Sequence, residues 1–203
     1  MNLLQISDLR RELRTKFPSA HQHPFPKEPE KRTKEDWEFK AGKLSEVIVP
    51  EISSGMSLLL SKLLQKKQSL PLVLIDSRDS FDPASYSNEQ CSRVLWIRCK
   101  KTQQALQSAD LLLRDGNLPL VLFDLHLVCA RELRKIPRHF WHRLRLQARD
   151  SGVALVTFTP CGLVPSAHQR LILQSTFSLQ NLELKTPTLS ITNTEQHPLL
   201  HKA

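Results

Sequence analysis

Five short apolar runs constrain this chain more than any single motif: LSEVIVP (44–50), PLVLID (71–76), RVLWIR (93–98), PLVLFDL (119–125) and VALVTFT (153–159). Unbroken apolar runs, unlike alternating ones, suit strands covered on both faces, as in a parallel sheet flanked by helices. Between them the spacing predicts helices over about 57–67, near 87–91, over 102–115 and over 135–150. The third of these places Ala105, Ala109, Leu112 and Leu113 inward and stops at Gly116-Asn117. Strands alternating with helices of this length make βαβ units, hence an α/β fold with a mainly parallel central sheet. After Pro160 the runs QRLILQ, FSLQNLELK and TLSIT predict antiparallel edge strands or a hairpin extension.

In such a sheet, ligands bind beyond the carboxyl ends of the strands. The loop after the first run matches the frame of the phosphate-binding pattern GxxxxGK[ST] but not its chemistry. Pro50 stands at the first glycine, Glu51–Ser54 follow, then come Gly55, Met56 in the lysine place and Ser57. Proline offers no N–H to a phosphate, glutamate adds negative charge, and a thioether cannot neutralise β- and γ-phosphates. Ser53, Ser54, Gly55 and Ser57 remain ahead of a helix N-terminus, where an anion is still favoured.

Asp76 and Asp124 end the second and fourth runs, and Thr159 ends the fifth. Asp124 has the position of a carboxylate that holds Mg²⁺ through water; a strand-end aspartate equally caps the next turn. Where a carboxylate should orient the attacking water, the outward position is Arg78. Without the lysine, transition-state charge has lost its main stabiliser. We therefore read Ser53, Ser54, Gly55, Met56, Ser57, Asp76 and Asp124 as a vestigial nucleotide site. Hydrolysis is not expected, no residue is assigned as catalytic, and no cofactor is required, with weak ATP–Mg²⁺ binding left open.

The formal charge is +9. Most of it sits between residues 131 and 149, where Arg131, Arg134, Lys135, Arg138, Arg143, Arg145 and Arg149 face only Glu132. On a helix over 138–149, Arg138, His142, Arg145 and Arg149 share one face, while Phe140, Trp141, Leu144 and Ala148 collect on another. Arg134, Lys135, Arg138, His142, Arg145 and Arg149 are thus candidates for DNA phosphates or an acidic protein partner, without base readout. The alternative is a solvated outer helix face.

Four dispersed cysteines with no CxxC pair give no metal site and no disulfide framework. No run approaches the about 20 apolar residues of a membrane span, and the amino terminus lacks a signal-peptide core, so a cytoplasmic protein with no membrane partner is expected. The organisation expected is an N-terminal helix within 1–17, a Pro-rich charged arm over 18–43, a core over 44–185 and a C-terminal strand and tail over 186–203. Phe25, Trp37 and Phe39 in or beside the arm are candidates to dock on the core or on a partner.

The order of these segments resembles the RecA ATPase core, in which a GPESSGKT-like loop precedes a strand ending in D-x-E-x-x-x-D-P, a QALE-type helix and a strand ending in aspartate. Here they read PEISSGMS, IDSRDSFDP, TQQALQSADLLLRDG and LVLFD. LSEVIVPEISSGMSLL, DSFDPAS, VLWIRC, QALQSADLLL, LVLFDL and RKIPRHFWHRL are closer still to ImuA, the RecA-like accessory family of bacterial damage-inducible mutagenesis cassettes. LRRELRTKFPSAH is similar to that family's opening helix.

The resemblance implies a RecA-like (P-loop NTPase type) three-layer domain in a bacterial, nucleoid-associated setting. Its implied partners are an ImuB-like polymerase scaffold and an error-prone replicative-type polymerase, with RecA and DNA as further contacts. It thus implies a non-hydrolysing adaptor in the SOS response and translesion synthesis. Two other readings are a RecA-type DNA-dependent ATPase and a SulA-like inhibitor of cell division, since the latter shares a reduced RecA-like core.

Overall fold

The computed structural model describes residues 38–51, 55–66, 71–174 and 189–193. The expected opening helix, most of the arm, Ser53 and Ser54, the run FSLQNLELK and the tail lie outside these residues.

Each apolar run becomes a strand: β1 (Leu44–Ile48), β2 (Leu72–Asp76), β3 (Val94–Arg98), β4 (Leu120–Asp124) and β5 (Ala154–Thr159). Between and beside them lie α1 (Met56–Lys66), the single turn α2 (Asn88–Cys91), α3 (Thr102–Asp115), the single turn α4 (Ala130–Leu133) and α5 (Arg138–Ser151). β6 (Gln169–Leu173) and β7 (Ile191–Asn193) complete a sheet ordered β3-β2-β4-β5-β1-β6-β7.

The two cores explain why the runs are largely apolar. Val73, Ile75, Val121, Phe123 and Leu155 face α3 and α5, where Ala105, Ala109, Leu113, Trp141, Leu144 and Ala148 are buried. The intervening Leu72, Leu74, Leu120, Leu122 and Val156 face α1, through Leu59, Leu60, Leu63 and Leu64. Neighbouring side chains on a strand point to opposite faces, so a two-sided sheet leaves few polar positions, and those inside β1 and β5 (Ser45, Glu46 and Thr157) are buried. Phe39, from the end of the expected arm, is buried in the α1-side core. The predicted helix stop at Gly116 is met by a left-handed φ of 68°, and a Cβ there would lie 3.2 Å from the Ser151 Cβ.

One expectation is met in part and one is corrected. QRLILQ pairs antiparallel on one side only: β6 meets β7 antiparallel, as expected, but on its other edge runs parallel to β1, with Glu46 opposite Arg170. The cause is the helix-free return over residues 160–168. It packs Val164 with Leu163 and Ala167 into the α3–α5 core and re-enters the sheet in the same direction. The helix expected from 135 starts at Arg138, because Pro137 supplies its N-cap and a residue preceding proline avoids helical geometry. Arg134 and Lys135 sit instead in the turn after α4.

Candidate functional site

Gly55 stands before α1 with φ 93°, a conformation that side chains rarely adopt, so this glycine of the phosphate-loop frame still shapes the backbone. Met56, in the lysine place, is half-buried and packs against the α1-side core, as do Phe81, Tyr86 and Trp96. Its side chain serves packing. Ser57 is exposed, and its carbonyl accepts the Tyr86 hydroxyl at 3.3 Å.

Asp76 and Asp124 are brought side by side, in register across β2 and β4. Asp76 is fully buried, and its carboxylate accepts the backbone N–H groups of Arg78 (3.2 Å), Ser80 (3.0 Å) and Phe81 (3.0 Å), and Trp96 Nε1–H (3.2 Å). Burial pushes this carboxyl up, but the three backbone donors and the indole outweigh it and hold the group below its ordinary range. Asp124 accepts the Ser80 hydroxyl at 2.7 Å on one oxygen. Its other oxygen accepts the His126 backbone N–H at 3.0 Å and lies 2.6 Å from His126 Nδ1. Ser80 also lies 3.4 Å from Asp76, so one hydroxyl bridges both strand ends. The pair organises the loop over 77–81.

Arg78 is paired outward with Glu132 at 2.8 Å, and Glu132 also accepts the Thr102 hydroxyl. Beside it Asp79 takes a left-handed φ of 58° and is gripped by Arg98, whose guanidinium lies 4.7 Å from the Trp96 ring centroid. Arg78, expected at the water-orienting position, is thus a cation bound into a surface ion pair. Among the described residues no group of three or more His, Cys, Asp or Glu is placed to hold a metal ion.

A structural site without a sequence motif lies in the first strand. Glu46, inside β1, is fully buried, yet it accepts the Thr159 hydroxyl (2.9 Å), the N–H groups of Leu163 (2.7 Å) and Val164 (3.1 Å) and Arg170 Nε (2.6 Å). Arg170 also donates to the Val164 carbonyl at 2.9 Å. This network pins the return loop across β5, β1 and β6. The signal available was a lone carboxylate in an apolar strand, which demands a buried partner.

The basic candidates come together as predicted on and beside α5. Trp141, Leu144 and Ala148 are buried, while Arg138, His142, Arg145 and Arg149 are exposed. Within the row, Arg145 donates to His142 Nδ1 at 3.2 Å and Arg149 pairs with Asp150. Arg143 points the other way, onto Asp110 and the Phe140 ring. Arg134, Lys135 and Arg138 are exposed and form no ion pair among the described residues. Arg138 and His139 open a helix whose first turn holds no acid. A cation there opposes the helix dipole, so the placement is unfavourable for stability. Replacing Arg138 with glutamate is therefore expected to stabilise the fold by about 0.3–1 kcal/mol. A thermal melt checks this, and a lower midpoint would contradict it.

No helix among the described residues is long and apolar enough to cross a membrane. No protein-family model matches the chain, and no curated protein matches its sequence. Its fold is similar to the crystal structure of the RadB recombinase, with a TM-score of 0.53 and 16% identity over 69% of this chain and 78% of that one. The chain has a RecA-like fold.

Proposed function

We propose that this protein is a non-hydrolysing RecA-like adaptor in DNA damage tolerance. It works through protein contacts made by the basic end of α5 and the turn before it, with sequence-independent DNA contact as a second mode. The observation carrying this reading is the fate of the phosphate loop. The cation place holds Met56 packed against the core, and the water-orienting place holds Arg78 in an ion pair with Glu132. Asp76 and Asp124 meanwhile hold the 77–81 loop together. What the fold presents outward is the exposed cation row.

The ordered phrases shared with ImuA support a setting in translesion synthesis. An ImuB-like scaffold and an error-prone polymerase are then the partners, and RecA is a further contact. The structural neighbour is a recombinase, which agrees with a place in DNA repair or recombination.

Affinity capture from DNA-damaged cells is expected to recover a polymerase-like scaffold and its polymerase. Recovery of neither would count against the reading. Reversing charge at Arg138 and Arg145 together is expected to weaken binding of the captured partner at least about tenfold at low salt, with a smaller effect as salt rises. Salt-insensitive binding that the double reversal leaves intact would contradict it.

A further inference from the structure

Arg134 and Arg138 do not stand on a flat surface. They line a recess of about 290 Å³ whose accessible apolar side chains are Ile136, Leu163 and Pro165, with the buried Leu133 and Trp141 behind them. Arg170 lies in the same wall, but its guanidinium is committed to Glu46 and to the Val164 carbonyl. The cations left for a ligand are therefore Arg134 and Arg138.

Both sides of the recess are fixed. Leu163 and the neighbouring Val164 are held through their N–H groups by the buried Glu46. On the other side the chain turns tightly from α4 into α5 by Arg134 N–H to Ala130 C=O, Lys135 N–H to Glu132 C=O and Ile136 N–H to Leu133 C=O. A preformed recess loses little on binding.

Resting on the adaptor reading, we propose that this cleft is the docking site for an acidic segment of a partner protein. One aliphatic side chain of the segment fills the floor, and flanking carboxylates meet Arg134 and Arg138. The volume is at the lower limit for ligand sites and suits a single side chain. Guanidinium forks match carboxylates two bonds at a time. Nucleic acid fits less well: a phosphodiester chain has nothing aliphatic for the floor. The Trp141 ring, 2% exposed, offers no face on which a base could stack. A second copy of this chain fits poorly as well, because no leucine, isoleucine or valine in it stands directly between two acids, and its densest acidic stretch, Glu35-Asp36-Trp37-Glu38, centres on a tryptophan. The outer row of Arg145 and Arg149 remains for polyanion backbone.

The test is fluorescence anisotropy with a labelled acidic peptide carrying one central leucine, its leucine-to-alanine analogue and a single-stranded oligonucleotide of equal charge. The leucine peptide is expected to bind about tenfold more tightly than its alanine analogue. Arg134→Glu with Arg138→Glu is expected to weaken it at least about thirtyfold, and Arg145→Glu with Arg149→Glu less than about threefold. A circular-dichroism melt of each variant separates loss of the site from loss of the fold. For the second route, Leu163→Ala is expected to abolish the preference for leucine while keeping the charge dependence. Equal binding of the two peptides, equal sensitivity to the outer pair, or oligonucleotide bound through Arg134 and Arg138 in the peptide's place would overturn the proposal. A chain that hydrolyses ATP yet shows this leucine preference would lose the adaptor reading and keep the cleft. One that does neither would keep the reading and lose the cleft.

Discussion

Replacing Glu46 with alanine is expected to destabilise the protein by about 3 kcal/mol, the low end for breaking a buried ion pair, because Arg170 is itself about a third exposed. The carboxylate is fully buried in β1 and serves four donors at once. Its removal leaves Arg170 without a counter-charge, and the Leu163 and Val164 N–H groups and the Thr159 hydroxyl without an acceptor. Each orphaned buried donor costs about 1–3 kcal/mol unless water reaches it. Because the donors sit on β5, β6 and the return loop, the loss falls on the sheet's join between β5, β1 and β6. Urea unfolding should show a lower midpoint with the denaturant slope unchanged. The double variant Glu46→Leu/Arg170→Met removes charge and counter-charge together and should recover much of the loss. A single-variant effect below about 1 kcal/mol would show that the network does not hold the return loop.

Asp76→Ala is the second large effect expected, about 2–4 kcal/mol, since the Arg78, Ser80 and Phe81 N–H groups and the Trp96 indole lose their shared acceptor. The same bonds set a pH dependence. Burial raises the Asp76 carboxyl, the backbone and indole bonds lower it further, and the net position is below the ordinary 3.8. A carboxyl lowered by folding contributes stability that is present above its unfolded value and lost as pH falls through the folded one. Stability should therefore decline with acid from about pH 4 downward, and Asp76→Asn should flatten that slope. Equal acid slopes for the two proteins, measured by urea unfolding across that range, would sink this assignment.

Much of the architecture could be read from residue order alone. β1, β2, β4 and β5 lie within the apolar runs because both of their faces are covered, whereas the edge strand β3 is only partly covered; α3 spans the predicted 102–115 because a periodic apolar face ends at a glycine suited to left-handed geometry. Strand direction was not legible at β6, since parallel and antiparallel strands show the same side-chain alternation. The helix-free return that decides it carries no periodic signal. Glu46 was hidden for a related reason. Its ion partner Arg170 lies 124 residues away and becomes its neighbour only through strand register.

The paired aspartates were legible as strand-end carboxylates, a position shared by metal-holding and loop-holding groups. Only the bonds to Ser80, Phe81, Trp96 and His126 show what they do here. The basic row was legible because helical spacing fixes which arginines share a face. The recess beside it was not, because Gly162, Leu163 and Pro165 in its wall come from the return loop.

The most direct test of the central claim is ATP turnover by the purified chain, with and without single-stranded DNA, alongside Asp124→Ala. The account predicts that wild type and variant give the same background rate and that DNA changes neither. A DNA-stimulated turnover that Asp124→Ala abolishes would contradict it and make the protein a working RecA-type ATPase.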